Sequence, residues 1–320
     1  MEDPSYMHLD PADFFNLLES NQLSVVEDIK SLIHDHLNST KEAWLVQGLF
    51  DYSMSKGSLR AMEILLGLRE THSKHLLDKL SESLRSSSSR LSSLIFMGFL
   101  VRKQPQWLHK ISSHYVMRDL IKVLKTDGGV VVLVNALLVL TALIPIIPNL
   151  ESSILNEIFE SFTRLAAWNY SNQPKQPEVY VLHLQIALYA LFHRLYGMYP
   201  CNFLSYLRQH YSLRDNLPIF SHTVKPMVET VRMHPLLVTA SKDIEIGTAR
   251  FVNFNIETRY ILNVLLFCFR WKQMSVHDIV TECAKYSLLE CQDLSNREDI
   301  ICSSLVHSSA VFIFLINQQF

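Results

Sequence analysis

Apolar residues recur every three or four positions along almost the whole chain, and this spacing limits what the chain can fold into. Val25, Val26, Ile29, Leu32, Ile33 and Leu37 form one such stripe, and Leu76, Leu77, Leu80 and Leu84 another. Leu91, Leu94, Ile95, Met97 and Leu100 follow, then Leu120, Ile121, Val123 and Leu124. At 3.6 residues per turn each set lies along one side of an α-helix. No stretch keeps the period-two alternation of a half-buried strand. Glycine agrees, with 8 in 320 residues, because tight hairpins and phosphate-cradling loops both consume it. With 48% hydrophobic residues the chain can bury a large core.

Punctuation divides the stripes into helices. Pro11 suits a first helical turn and Thr40 a helix start. Gly57 and Ser58 stop the helix that carries Trp44, Leu45, Leu49 and Tyr52, and Leu59, Met62, Leu65, Leu66 and Leu68 follow. A long run from Val179 to Tyr211 is interrupted by Pro200, which predicts two helices meeting there. Gly128 to Leu150 holds no charged residue and reaches the roughly 20 residues a bilayer span needs. Pro145, Pro148 and Asn135 interrupt it, and the amphipathic segment Glu151 to Trp168 follows, so it reads as a fully buried helix. The expected fold is all-α: an irregular HEAT-like α-solenoid of antiparallel helix pairs, with a compact bundle as the rival.

Signatures of chemistry are missing. GxGxxG, GxxxxGK[ST], GxSxG and HExxH do not occur. His72 and His75 stand one turn apart without a third or fourth ligand nearby. Carboxylates such as Glu27, Asp28 and Asp78 sit beside lysines, as solubilising charges do. The expectation is no enzyme, no cofactor and no metal. A net charge of -2 offers nothing to draw the chain onto nucleic acid. Cys201, Cys268, Cys283, Cys291 and Cys302 are scattered and odd in number, as reduced cytosolic thiols are. The opening MEDPSYMHLD lacks the basic and apolar regions of a signal peptide, so a cytoplasmic location is expected.

Two surface features carry alternatives. Lys74, Lys79, Arg85 and Arg90 cluster in one stretch, and Arg102, Lys103, Lys110, Arg118, Lys122 and Lys125 in the next. They are either ordinary solvated faces or a basic strip for anionic phospholipid, where each cation adds about 1 kcal/mol. The serine-rich patch from Ser81 to Ser93 is either a solvated turn whose hydroxyls cap helix ends or a phosphorylation loop.

Several blocks go beyond pattern. HSKHLLD spans 72–78, VVVLVNALLVLTALIPIIP 130–148 and EVYVLHLQIALYALFHRLYGMYPCNFLSYLRQH 178–210. VKPMVETVRMHPLLVTASKD spans 224–243 and WKQMSVHDIVTECAKYSL 271–288. In these blocks and their order the chain resembles the hamartin N-terminal domains, over about residues 8 to 250 and again from Trp271 to Leu288. The resemblance implies a helical-repeat core without an active site, in a scaffold that binds and stabilises tuberin beside a TBC-domain third subunit. It implies support for GTPase activation on Rheb, restraint of the rapamycin-sensitive growth kinase, and a peripheral place at the lysosomal membrane. Self-association and anionic phospholipid are further expected partners. The family's coiled coil lies far downstream, so the resemblance also implies a fragment or short form.

Residues 1–250 read as the family's helical domain, 251–270 as an apolar insertion absent from its pattern, and 271–320 as a family block with a divergent tail. The flanks motivate this, because Arg250 joined to Trp271 restores the expected Arg-Trp-Lys. Ile261 to Phe269 is an almost unbroken apolar run, an aggregation liability wherever it is exposed. Deleting 251–270 should leave the thermal transition cooperative and the chain at least as soluble. Loss of the cooperative melt on deletion would make the segment structural.

Overall fold

A computed structural model describes residues 15–39, 43–147, 150–172, 177–232, 234 and 236–246. Pro11, Thr40, Pro148 and the whole of 251–320, with the insertion and tail inferred there, lie outside the described residues. The described residues form helices and turns without a strand. They divide into two compact units, one ending at Asp119 and the other beginning at Leu120.

In the first unit, α1 (Leu23–Ser39) and α2 (Ala43–Lys56) precede the short α3 (Leu59–Leu66). Then come α4 (Glu70–Arg85) and α5 (Arg90–Lys103). Short turns reverse the chain, so α2 packs on α3 and α4, and α5 packs on α3 and α4. On α1 the residues Val26, Ile29, Ile33 and Leu37 are buried. Leu32, read as part of the same stripe, remains 46% exposed. Trp44 and Leu59 are likewise exposed: α2 buries Leu45, Val46, Leu49 and Phe50 instead, and Trp44 rests edge-on against His36. A stripe wider than the contact leaves its margin in water.

The chain breaks between α2 and α3 where the sequence places the break. Gly57 adopts φ 67°, the left-handed conformation that costs glycine nothing. Ser58 Oγ then accepts from the Ala61 amide at 3.1 Å and caps α3. After α5, Gln104 also turns left-handed at φ 52°, its amide donating to the Leu100 carbonyl as the helix ends ahead of Pro105. An eight-residue 3-10 stretch, Gln106–Ser113, follows. Its Trp107 is buried, and the indole N–H donates to the Leu68 carbonyl at 2.7 Å, tying this irregular stretch to the α3–α4 turn.

The helix α6 (Tyr115–Thr126) contains the boundary between the units. In the second unit α7 (Val130–Leu143) is the uncharged segment, and no described helix is long and apolar enough to cross a membrane. Ten of its fourteen residues are buried, and its most extensive helix contact is with α9 (Glu178–Met198). Asn135, mid-helix, donates back to the Val131 carbonyl at 2.8 Å. Between them in sequence lies α8 (Ser152–Asn172), which also packs on α9. Pro200 occupies the first turn of α10 (Pro200–His210), with Tyr199 alone between it and the end of α9, as expected from its missing amide. Rings from three helices meet here: Phe203 of α10 lies 5.3 Å from Phe162 of α8 and 5.7 Å from Phe192 of α9.

Beyond α10 the chain runs through Leu217–Ile219, a π-helical turn at Phe220–Val224, and Lys225–Glu229. Pro226 lacks the amide that would complete the ordinary ladder and crowds the carbonyl of His222, which accounts for the wider turn. This segment is fastened to α9. Tyr189 donates to Thr230 Oγ1 at 2.6 Å, and the Tyr196 hydroxyl donates to the Arg232 carbonyl at 2.7 Å while accepting from the His234 amide at 2.9 Å.

Leu188, Leu191, Phe192 and Leu195 are fully enclosed. Leu191→Pro should abolish folding: proline inside a helix costs ~3 kcal/mol or more, and the lost side chain adds about 2–5 kcal/mol, against a total of about 5–15 kcal/mol. Soluble yield and thermal melting measure it, and an unchanged melt would refute the core position of α9.

Candidate functional site

The basic residues separate into two groups once their neighbours are known. Lys79 pairs with Asp51 at 3.2 Å and Glu82 at 3.4 Å. Lys110 pairs with Glu70 at 2.6 Å, which holds that carboxyl below its ordinary pKa. Lys125 sits between Glu160 at 2.6 Å and Glu157 at 3.3 Å. Arg85 reaches Asp119 through Nε at 3.1 Å and Nη2 at 3.0 Å. Arg90 donates to the carbonyls of Leu84 at 3.0 Å and Arg85 at 3.3 Å, closing the end of α4. These five serve the fold. Lys74, Arg102, Lys103, Arg118 and Lys122 are exposed, with no described carboxylate in ion-pair reach. Lys122 and Lys125 belong to the second unit and the rest to the first.

The serines between α4 and α5 also depart from simple capping. Ser89 precedes α5, yet its hydroxyl does not cap it; it donates back to the Ser83 carbonyl at 2.9 Å. Ser93 donates to the Ser89 carbonyl at 2.9 Å, and its Oγ also hydrogen-bonds the Ser83 hydroxyl. Ser86, Ser87 and Ser88 are exposed, and the Ser86 and Ser88 hydroxyls lie 3.0 Å apart.

The buried titratable groups hold structure together. His72 turns Nε2 to the Leu37 carbonyl at 2.7 Å, and with His34, Asn38 and Arg69 it lines a small open cleft. Cys201 opens α10, its thiol pushed up to about 11 by burial and the nearby Glu245, so it stays protonated. The buried Glu245 carboxylate accepts from the amides of Cys201 at 2.7 Å and Asn202 at 2.9 Å and caps α10 from 43 or more residues away. Arg164 donates to the carbonyls of Leu124 and Asp127, each at 2.6 Å, and closes α6. Asp119, Arg164 and Glu245 escape a periodicity reading, because a single charge on a helix looks solvated until its neighbour in space is known. Among the described residues no group of three or more His, Cys, Asp or Glu side chains is placed to hold a metal.

Helices stacked on helices, with polar side chains committed to caps and inter-helix ties, define an all-α, solenoid-like domain. Solved structures share this fold. One titled "TSC1 N-terminal domain" superposes with a TM-score of 0.61 at 17% identity, over 82% of this chain and 77% of that one. Another, "Structure of TSC1 NTD and linker domain", gives 0.63 at 17% identity over 94% and 82%. In sequence, residues 12–262 match the hamartin N-terminal domain family. The chain is 43% identical to the hamartin of Homo sapiens over 272 residues and 42% identical to that of Mus musculus over 276. These matches take in 85% and 86% of this chain but 22% of either relative. The chain belongs to the hamartin N-terminal domain family.

His193, on the buried side of α9, has its pKa pushed down to about 4 by burial, and burial lowers His183 as well. The unfolded chain titrates near 6.5, so it takes up the proton first as pH falls. The contribution of the neutral His193 is therefore fully present above about pH 6.5, and up to about 3 kcal/mol is lost on the way to pH 4. Melting temperature should fall by roughly 6–12 °C across that window, and His193→Gln should flatten the dependence. An unchanged slope in the variant would place the acid sensitivity elsewhere.

Proposed function

We propose that this chain is the helical domain of a non-enzymatic regulatory scaffold, acting with tuberin and a TBC-domain subunit in a GTPase-activating assembly directed at Rheb. On this reading it helps restrain the rapamycin-sensitive growth kinase, from the cytoplasm and the lysosomal surface. Membership of the hamartin N-terminal domain family supports it. The geometry is compatible: Arg164 and Glu245 are engaged in helix caps, leaving the outer helical faces to be read by other proteins. The test is affinity purification of the tagged chain from cells, with mass spectrometry of what co-purifies. Tuberin should be recovered, less abundantly than with a full-length family member that carries the coiled coil. Its absence under conditions where the full-length protein captures it would remove this chain from the assembly.

The exposed cations favour a second reading, recruitment to anionic phospholipid. In the first unit Lys74, Arg102, Lys103 and Arg118 are the ones available for it, whereas Lys79, Arg85, Lys110 and Lys125 already pair with carboxylates. Vesicles containing phosphatidylinositol phosphates should bind the chain weakly and lose it as salt rises. Reversing Lys74, Arg102 and Lys103 to Glu should abolish binding, each cation contributing about 1 kcal/mol. Binding that ignores both salt and charge reversal would exclude an electrostatic surface.

A further inference from the structure

The turn between α4 and α5 reads Arg85-Ser86-Ser87-Ser88-Ser89-Arg90. We propose that it is a phosphorylation site, with Ser88 the acceptor for an arginine-directed Ser/Thr kinase and Arg85 and the start of α5 the groups that receive the phosphate.

Accessibility comes first. Ser86, Ser87 and Ser88 are exposed. The Ser88 hydroxyl makes its one described side-chain bond to Ser86 Oγ, so modifying it disrupts no helix cap. Ser89 and Ser93 differ, being tied into the end of α4 through Ser83. Recognition comes next. Arg85 stands three residues before Ser88, and its side chain is 59% exposed although it pairs with Asp119. A kinase groove lined by carboxylates can read such a guanidinium through paired N–H···O bonds. No acidic residue stands in the first turn of α5 or within 85–90 to repel an incoming phosphate.

The destination of the phosphate is the third observation. α5 is a fourteen-residue helix whose N-cap serine supplies no side-chain cap to its first amides. A phosphate beside a helix N-terminus and an arginine gains charge-assisted hydrogen bonds and orders the segment it joins. The Arg85 guanidinium would then be shared between the phosphate and Asp119, which also accepts from Ser81.

The chemical step needs magnesium-bound ATP and an external kinase. Ser88 Oγ attacks the γ-phosphorus, the new O–P bond forms as the bond to the β-phosphate oxygen breaks, ADP leaves, and the hydroxyl proton passes to the kinase base.

The whole chain is incubated with the catalytic subunit of cyclic-AMP-dependent kinase and ATP, and phosphoserine is mapped by tandem mass spectrometry. A peptide of residues 82–94 serves as the unfolded control. The folded chain should take one phosphate in the turn, at Ser88. Ser88→Ala should remove it, and Arg85→Gln should lower incorporation about tenfold, the loss of one charge-assisted contact. By phosphorus NMR the phosphoserine of the folded chain should titrate below its ordinary second pKa of about 6 and below that of the peptide. Incorporation in the peptide but not in the folded chain would overturn the proposal, as would indifference to Arg85→Gln or identical titration of chain and peptide.

Discussion

The uncharged helix Val130–Leu143 sets the terms for the second unit. It has apolar residues on every side, and a helix of that kind must be enclosed. Its longest contact is with Glu178–Met198, itself lined with fully buried Leu, Phe and Ala. Each fully buried Leu or Val contributes roughly 1.5–3 kcal/mol relative to exposure, so the pair is a large favourable term in a balance that nets about 5–15 kcal/mol. The aromatic cluster of Phe162, Phe192 and Phe203 extends this enclosure to α8 and α10.

Enclosure creates a second demand. A helix end placed against other helices loses the water that would satisfy its last carbonyls or first amides. The molecule meets this with long-range side chains in place of local caps. Arg164 closes α6, Glu245 opens α10, and Trp107 satisfies the Leu68 carbonyl. Each bond also ties two segments far apart in sequence, so satisfying the backbone and fixing the packing are one act. Burial of the titratable members shows in their pKa values: Cys201 and Tyr211 are raised, His193 lowered.

Charge is used in the same economical way. Lys79, Arg85, Lys110 and Lys125 bridge neighbouring elements, although partly exposed pairs of this kind contribute little individually. Lys74, Arg102, Lys103 and Arg118, with no described carboxylate beside them, keep their charge turned to water. Likewise the serines left in water at 86–88, and not those spent on Ser83, are open to modification.

Much of the fold was legible in the sequence. The 3.6-residue period names helices, Gly57 and Ser58 end one and begin the next, and Pro200 divides a long run at its own position, all through interactions within a few residues. The blocks at 72–78, 130–148 and 178–210 likewise identify the family without coordinates. Periodicity could not tell that Leu32, Trp44 and Leu59 would lie at the margin of the core, because the width of a buried stripe depends on the neighbour that covers it. Nor could it separate Lys110, held by Glu70, from Lys103, held by no described carboxylate, or show that Glu245 caps a helix more than forty residues earlier. Local backbone preference and hydrophobic period are properties of the chain itself. Which charge meets which, and which surface stays wet, are decided by distances that exist only once the helices have packed.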